Sequence, residues 1–549
     1  MLRGWRGVVC VSTLAILGTL AVYGRTVSYG FSYDDYHFVR PYSSAELLGT
    51  WSGSWDPTGI ESPFYRPLTT AFIALRFEAF GVNAAAYRWL TLVMFALAAA
   101  LCGLLVARVT GSTWTASLAT VWFCAHPSFA YSLAGWAMHQ MHLAEMILVL
   151  GALLWWWHCK SRPALWWSPL LLLQAAVMLV KEDGAMLLPA IWGVHLLYRF
   201  MVDRDVPYPP LAFVTAGIAL SVGLFVLRRE SLGGLGGYGV PEWDGMARNF
   251  TVGLERVFFQ VPARRPWQPF VSRAVVVLPL LAAWPLTRAL NRRFAFLGAA
   301  GLSMAVLFNV PFVFVSKPEQ YHLVALGACL LLIASAGALA GLAPSRAARV
   351  CVQGAAFVLT VALARVAVHA VSDFAPCSAR TLSTNAIVRG WGAVPAEIRE
   401  SLPTESQACN PESANPADLP VVVFGAWGVE DDNGVPARWT SGRVTILARR
   451  GTTSVFVPLR AVLGPMGGNP ARVGAVANGR LLWELELHDE RWRCAQVPLR
   501  PHPGSWLTRS NRAELRVSPT WIPARVLRGS SDTRELGIRL GTVGSTCPG

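Results

Sequence analysis

Long apolar runs recur along the chain as far as residue 370, and they restrict its fold more than any other feature. A helix needs about 20 mainly apolar residues to cross a bilayer. Runs of that order fall at roughly 7–24, 84–107, 112–127, 131–157, 164–180, 185–200, 211–228, 271–288, 294–315, 321–342 and 347–370. They predict an α-helical polytopic membrane protein with about 11 transmembrane helices. Composition agrees: only 14% of residues are charged and the mean hydropathy is +0.42, whereas soluble domains carry roughly 25% charged residues. The 23 Trp suit amphipathic rings at membrane interfaces.

Arg3 and Arg6 precede the first run and no small-x-small cleavage site follows it, which predicts a retained anchor with the N-terminus cytoplasmic. An odd number of spans then places the C-terminus outside a plasma membrane of the bacterial inner type. The expected inner turns hold Arg108; Lys160 and Arg162; Arg199 and Arg204; Arg288, Arg292 and Arg293; and Arg346 and Arg349, as the positive-inside rule asks. An outer loop at 229–270 breaks the rule with Arg248, Arg256, Arg264 and Arg265, just after Arg228 and Arg229. Either a long translocated loop tolerates the charge, or a basic outer surface holds an anionic lipid phosphate. The net charge of +15 contains no compact Lys/Arg tract, so no nucleic-acid partner is expected.

The membrane domain is expected at 1–372, a Pro-, Ser- and Ala-rich linker at 373–420, and a β domain at 421–549. Short alternating runs at Val421–Phe424, Arg443–Ala448, Thr453–Leu459, Leu481–Leu487, Ala513–Val517 and Gly537–Leu540 predict a C-terminal all-β, sandwich-like extracytoplasmic domain. Cys377, Cys409, Cys494 and Cys547 fall in this polar region and allow two disulfides in three pairings. The other six cysteines lie in or beside apolar segments and read as small core residues.

The first outer loop, 28–83, contains Phe31-Ser32-Tyr33-Asp34-Asp35-Tyr36-His37-Phe38 and then Tyr65-Arg66-Pro67-Leu68. Within it, Ala45–Trp51 and Tyr65–Phe80 look amphipathic and are expected to lie along the interface. Other polar residues gather on the same expected side: His126-Pro127, His139, Gln140 and His142, Lys181-Glu182-Asp183-Gly184, and Lys317-Pro318-Glu319-Gln320-Tyr321-His322. Only three of the 47 basic residues are lysines, and two of those stand in this set. A transporter usually spreads ionisable groups through the bilayer midplane in related halves. One-sided polarity without an internal repeat suits an enzyme acting on a membrane-embedded substrate. A flippase of lipid-linked saccharides and a glycan-binding scaffold are the alternatives.

Over about 1–345 the chain resembles the GT-C superfamily of polyprenyl-phosphate-sugar-dependent glycosyltransferases, most of all the protein O-mannosyltransferase branch and bacterial relatives of the transmembrane-TPR mannosyltransferases. Asp34-Asp35-Tyr36-His37-Phe38 is similar to the family's Asp-Glu-x-His-Phe, and Tyr65-Arg66-Pro67 to its Tyr-Arg-Pro. Ala125-His126-Pro127 with Gly135-Trp136 resembles its His-Pro…Ala-Trp, and Lys181-Glu182-x-Gly184 its Lys-Glu-x-Gly. Glu319-Gln320-Tyr321 stands where relatives have Arg-Tyr. Two departures bear on the acceptor: His139-Gln140-x-His142 replaces Gly-Arg-x-Asp, and a β domain replaces the TPR array. The ending Asp532-Thr533-Arg534-Glu535-Leu536-Gly537 resembles β-sandwich modules appended to bacterial GT-C proteins.

The resemblance implies an inverting transfer from a polyprenyl-phosphate sugar to a hydroxyl of a protein, lipid or glycan acceptor. Such chemistry needs a carboxylate base near the hydroxyl and cations on the leaving phosphate. Asp34 is expected as the base, and Asp35 as its tuning or acceptor-orienting neighbour. Arg66, Lys181, Arg228, Arg229 and Lys317 are the candidates for the lipid phosphate. Glu182 is expected to position Lys181, with His37, His126, Glu319 and Tyr321 in support. No second-loop acidic ligand accompanies the pair, so no metal or other cofactor is expected to be required.

Overall fold

The structure, a computed structural model, describes residues 5–31, 35–57, 64–130, 133, 140–234, 243–259, 291–314, 322–380, 421–432, 435–501, 510–527, 530, 532 and 534–544. Before the first strand run helices α1 (Trp5–Tyr23), α2 (Asp35–Phe38), α3 (Ser44–Gly49), α4 (Pro67–Phe80), α5 (Ala84–Thr110), α6 (Thr113–Ala125) and α7 (Met141–Cys159). They are followed by α8 (Ser168–Val180), α9 (Leu187–Met201), α10 (Leu211–Leu232), α11 (Trp243–Phe259), α12 (Arg292–Asn309), α13 (His322–Leu342) and α14 (Arg346–Arg380).

The turns follow from their residues. Gly111 ends α5 at φ +70°, and its N–H donates to the Ala107 carbonyl at 2.9 Å. Ser112 then caps α6 by accepting from Thr115 N–H at 3.2 Å. A left-handed glycine followed by a serine cap reverses the chain in two residues. In the first loop, Ser43 and Glu46 form a reciprocal capping box at 3.1 and 2.7 Å that starts α3.

Eight helices among the described residues are long and apolar enough to cross a membrane, which makes the protein a multi-pass membrane protein. The expected spans at 112–127 and 164–180 shrink to the 13 residues each of α6 and α8. Pro127 starts a 3₁₀ turn and ends the first, while Ala164–Trp167 is 3₁₀ before the second. Of the span expected at 131–157, α7 covers the part from Met141, and most of 131–139 and all of 271–288 lie outside the described residues. The linker expected at 373–420 starts within a helix, since α14 continues to Arg380.

Between lipid-embedded helices apolar burial gives little drive, so close packing decides which faces meet. The α12–α13 pair shows this. A Cβ on Gly301 would lie 2.6 Å from the Gly327 carbonyl oxygen, and one on Gly327 would lie 2.5 Å from Ala305 N. The two backbones touch only because both residues lack a side chain. The α13 segment forms the bundle's centre, with 83% of its apolar window buried, while α10 and α14 turn most of their apolar surface outward.

The C-terminal domain is β-rich and antiparallel. Its strands are β1 (Val421–Asp432), β2 (Val435–Arg449), β3 (Ser454–Arg460), β4 (Ala471–Ala477), β5 (Arg480–Leu487), β6 (Arg493–Pro498), β7 (Arg500–Pro501), β8 (Ser510–Ser518) and β9 (Arg539–Leu540). They join in the order β5-β4-β8-β2-β9-β3-β6, with β1 on β2 and β7 on β8. One core receives side chains from both edges of this sheet, including Leu487 of β5 and Val497 of β6, so the sheet folds over on itself. Asn478 and Gly479, at φ +51° and +76°, make the two-residue turn between β4 and β5. Cys494 is disulfide-bonded; Cys409, Cys547 and the Cys377 side chain lie outside the described residues.

A separate apolar cluster joins the two domains. Phe38, Trp55, Phe64, Phe77, Met141 and Val180 of the helical part pack with Phe424 of β1 and Leu447 of β2. The Phe77 and Phe424 rings meet edge to face at 5.5 Å, and Arg512 reaches Glu78 at 2.9 Å.

Candidate active site

Charged side chains are buried beneath that junction in two groups, and the start of α7 lies between them. The first is built on Arg66. Pro67 opens α4, where its missing N–H costs nothing, and forces Arg66 out of the helix. The Arg66 side chain turns inward and is 4% exposed. Its Nε donates to Glu182 Oε1 and Oε2 at 3.1 and 3.0 Å, and its Nη2 to Oε2 at 2.8 Å. The guanidinium also lies over Phe64 at 4.2 Å and Trp55 at 5.1 Å, and its Nη1 is 3.8 Å from Met141 Sδ.

Glu182 and Lys181 point to different partners because the chain changes direction between α8 and α9. Lys181 is extended and ends α8, and a 3₁₀ turn, Glu182–Met186, follows. Gly184 permits that turn: a Cβ there would stand 2.8 Å from the Val177 carbonyl carbon. Lys181 Nζ donates to Asp183 Oδ2 at 2.5 Å and sits 3.8 Å from Glu145 Oε2 on α7. The Lys-Glu motif leads one to expect Glu182 to position Lys181. The geometry instead gives Glu182 to Arg66 and Lys181 to Asp183 and Glu145.

The second group surrounds Asp35, which opens α2 and is fully buried. Its charge acts on Arg76 and Tyr87. Burial pulls the Arg76 guanidinium down to about 10 against the opposing pull of Tyr87, Asp35 and Tyr42. Arg76 Nη1 donates to Gln140 Oε1, and Gln140 Nε2 donates to the Tyr87 carbonyl at 2.7 Å and to Thr91 at 2.6 Å. Gln140 and Met141 thus hold one group each. No motif in the sequence marks a role for Arg76, Gln140, Asp183 or Glu145. Glu145 did carry a signal, since an ionisable residue inside an apolar span calls for a partner.

Arg228 joins the first group: with Glu182, Tyr65, Met178, Leu224 and Phe225 it lines a cavity of about 40 Å³, room for water and not for a sugar. Arg229 is exposed at the end of α10. His126 is buried and accepts from Ser128 N–H at 3.3 Å. His142 and His322 stack at 4.7 Å, with Phe129 5.8 Å from His322. Asp34, Lys317, Glu319, Tyr321 and the His37 side chain lie outside the described residues. Among the described residues no group of three or more His, Cys, Asp or Glu side chains is placed to hold a metal ion.

No protein-family model matches the chain, and no curated protein matches it by sequence. Two of the solved structures that are similar in part can be named. One is ArnT from Cupriavidus metallidurans bound to undecaprenyl phosphate, at 14% identity and a TM-score of 0.35 over 71% of this chain and 77% of that one. The other is the arabinosyltransferase EmbB from Mycobacterium smegmatis, at 13% identity and a TM-score of 0.27 over 99% of this chain. This chain spans 65% of the EmbB length. Likeness at that level fixes neither fold nor chemistry, and the geometry above has to bear the functional reading.

That geometry is specific in one respect. A bidentate Arg–carboxylate pair fixes the plane of the guanidinium, which a lone Arg would not have. Arg66 is therefore a preorganised cation, and its partner Glu182 also feels the charge of Arg228, with which it lines the small cavity.

Proposed function

We propose that the protein is a GT-C-type membrane glycosyltransferase, moving mannose or another hexose or pentose from a polyprenyl-phosphate donor to an acceptor hydroxyl. In this reading the reaction runs at the extracytoplasmic face of the inner membrane, with the N-terminus cytoplasmic and the β domain outside. The acceptor oxygen bonds to the anomeric carbon with inversion as the bond from that carbon to the phosphate oxygen breaks. The hydroxyl proton passes to Asp34, and the bonding pair leaves with the lipid phosphate. Arg66 and Arg228 meet the charge that develops on that phosphate. Asp35, held in the field of Arg76, steadies the loop that carries Asp34.

The observation that supports this most is the placement of Arg66, Glu182, Lys181, Asp183 and Asp35. All are buried at the end of the bundle that the β domain covers. A transport path would instead place ionisable groups near the midplane. The test uses purified protein in nanodiscs with a panel of radiolabelled polyprenyl-phosphate sugars. Release of label from one donor into water or onto an added acceptor is expected. Donor binding without release, across the panel and a broad acceptor set, would overturn the proposal.

A further inference from the structure

A second site lies at the far end of α9. Arg199 lies 12 positions into α9 from Leu187, about 18 Å at 1.5 Å per residue. That is more than half of a hydrocarbon core of about 30 Å. Here a groove of about 620 Å³ opens between α9 and the segment leading to α10, within the range of built ligand sites, about 300–1,000 Å³.

Its wall is amphiphilic. Gly193, Leu196, Leu197 and Phe200 form an apolar stripe on α9, and Arg199, Arg204 and Tyr208 add polar groups to the same lining. A Cβ on Gly193 would meet nothing within 4 Å, so a larger side chain there would enter open space at the groove. Phe200 is 75% exposed, so the apolar part opens sideways to where lipid chains would lie. Asp203 and Asp205 stand exposed beside the groove and are not among its lining residues.

The groove is built and does not depend on loop drift. Trp156 Nε1 donates to His195 Nδ1 at 3.2 Å, which leaves His195 Nε2 to donate to the Pro207 carbonyl at 2.9 Å. Arg199 Nη1 donates to the neighbouring Val206 carbonyl. These bonds fasten the 206–207 backbone to α9 and lay Tyr208 under the Arg199 guanidinium at 4.0 Å. The result is two guanidinium groups and a phenol beside an apolar stripe in one groove.

We infer that this groove binds one anionic glycerophospholipid, its phosphate at Arg199, Arg204 and Tyr208 and the start of one acyl chain along Leu196 and Phe200. Two cations select a headgroup of net negative charge over a zwitterionic one. The sideways opening fits a molecule with an apolar tail better than a soluble anion.

The experiment is native mass spectrometry of the full-length protein, delipidated in detergent and then offered dioleoylphosphatidylglycerol or dioleoylphosphatidylcholine. Three proteins are compared: wild type, the double variant Arg199→Gln/Arg204→Gln, and Gly193→Phe, which puts a ring into the apolar lining and leaves both arginines in place. Wild type should retain one phosphatidylglycerol about tenfold better than phosphatidylcholine, and each variant should lose that preference. Millimolar inorganic phosphate should not displace the lipid. Equal retention of both lipids by wild type would refute the site, as would an undiminished preference in Gly193→Phe. Displacement by inorganic phosphate would reassign it to a free anion and overturn the lipid.

Discussion

Replacing Glu182 with glutamine should destabilise the folded protein by about 3–5 kcal/mol, the range for removing one partner of a buried ion pair. An exposed pair would lose only about 0–1 kcal/mol, so burial decides the magnitude. Both side chains are under a tenth exposed, and the carboxylate takes three N–O contacts of 2.8–3.1 Å. Glutamine keeps the shape but offers one acceptor oxygen and no charge to a guanidinium that stays ionised. The double variant Arg66→Met/Glu182→Met should sit much closer to wild type, because it removes both charges together. Denaturant unfolding in detergent, followed by tryptophan fluorescence, gives all three values and closes a double-mutant cycle. If Glu182→Gln unfolds within about 1 kcal/mol of wild type, the pair is not a buried, desolvated one and the reasoning fails.

Lys181 ranks its partners by distance, so Asp183→Asn should lower folded yield more than Glu145→Gln, given 2.5 Å against 3.8 Å; size-exclusion profiles of the two variants would check the order. At the domain junction Phe77→Ala should cost about 3–5 kcal/mol and speed proteolytic release of the β domain. Glu78→Ala there removes a half-exposed pair with Arg512 and should change release little. Gly327→Ala places a methyl against the Ala305 backbone and should cost about 1–3 kcal/mol or more, read as a lower melting temperature.

The spans were legible because each long apolar run declares itself alone. The shortened ones were not: Pro127 and the 3₁₀ turn at Ala164–Trp167 cut runs that hydropathy reads as continuous. Strand β4, Ala471–Ala477, was missed because both its faces are buried and small residues blur the alternation. Strand β6 was missed because polar residues break its run. The motifs marked Arg66, Lys181 and Glu182 but not their pairing. Arg66 and Glu182 are 116 positions apart, and only the fold brings them to 2.8 Å. Asp183 took the lysine because the turn that Gly184 allows sends adjacent side chains in opposite directions. Gln140 looked like one polar residue at a span's start, and its role depends on Arg76 arriving from α4.

The central claim is that the first-loop carboxylates and the Arg66 group form one glycosyl-transfer site. The most direct test is the single-turnover rate of sugar release from a bound polyprenyl-phosphate donor, in wild type and in Asp34→Asn of unchanged elution profile. Loss of a general base should slow release by about 10²–10⁴-fold with donor binding retained. Equal rates in the two proteins would contradict the account.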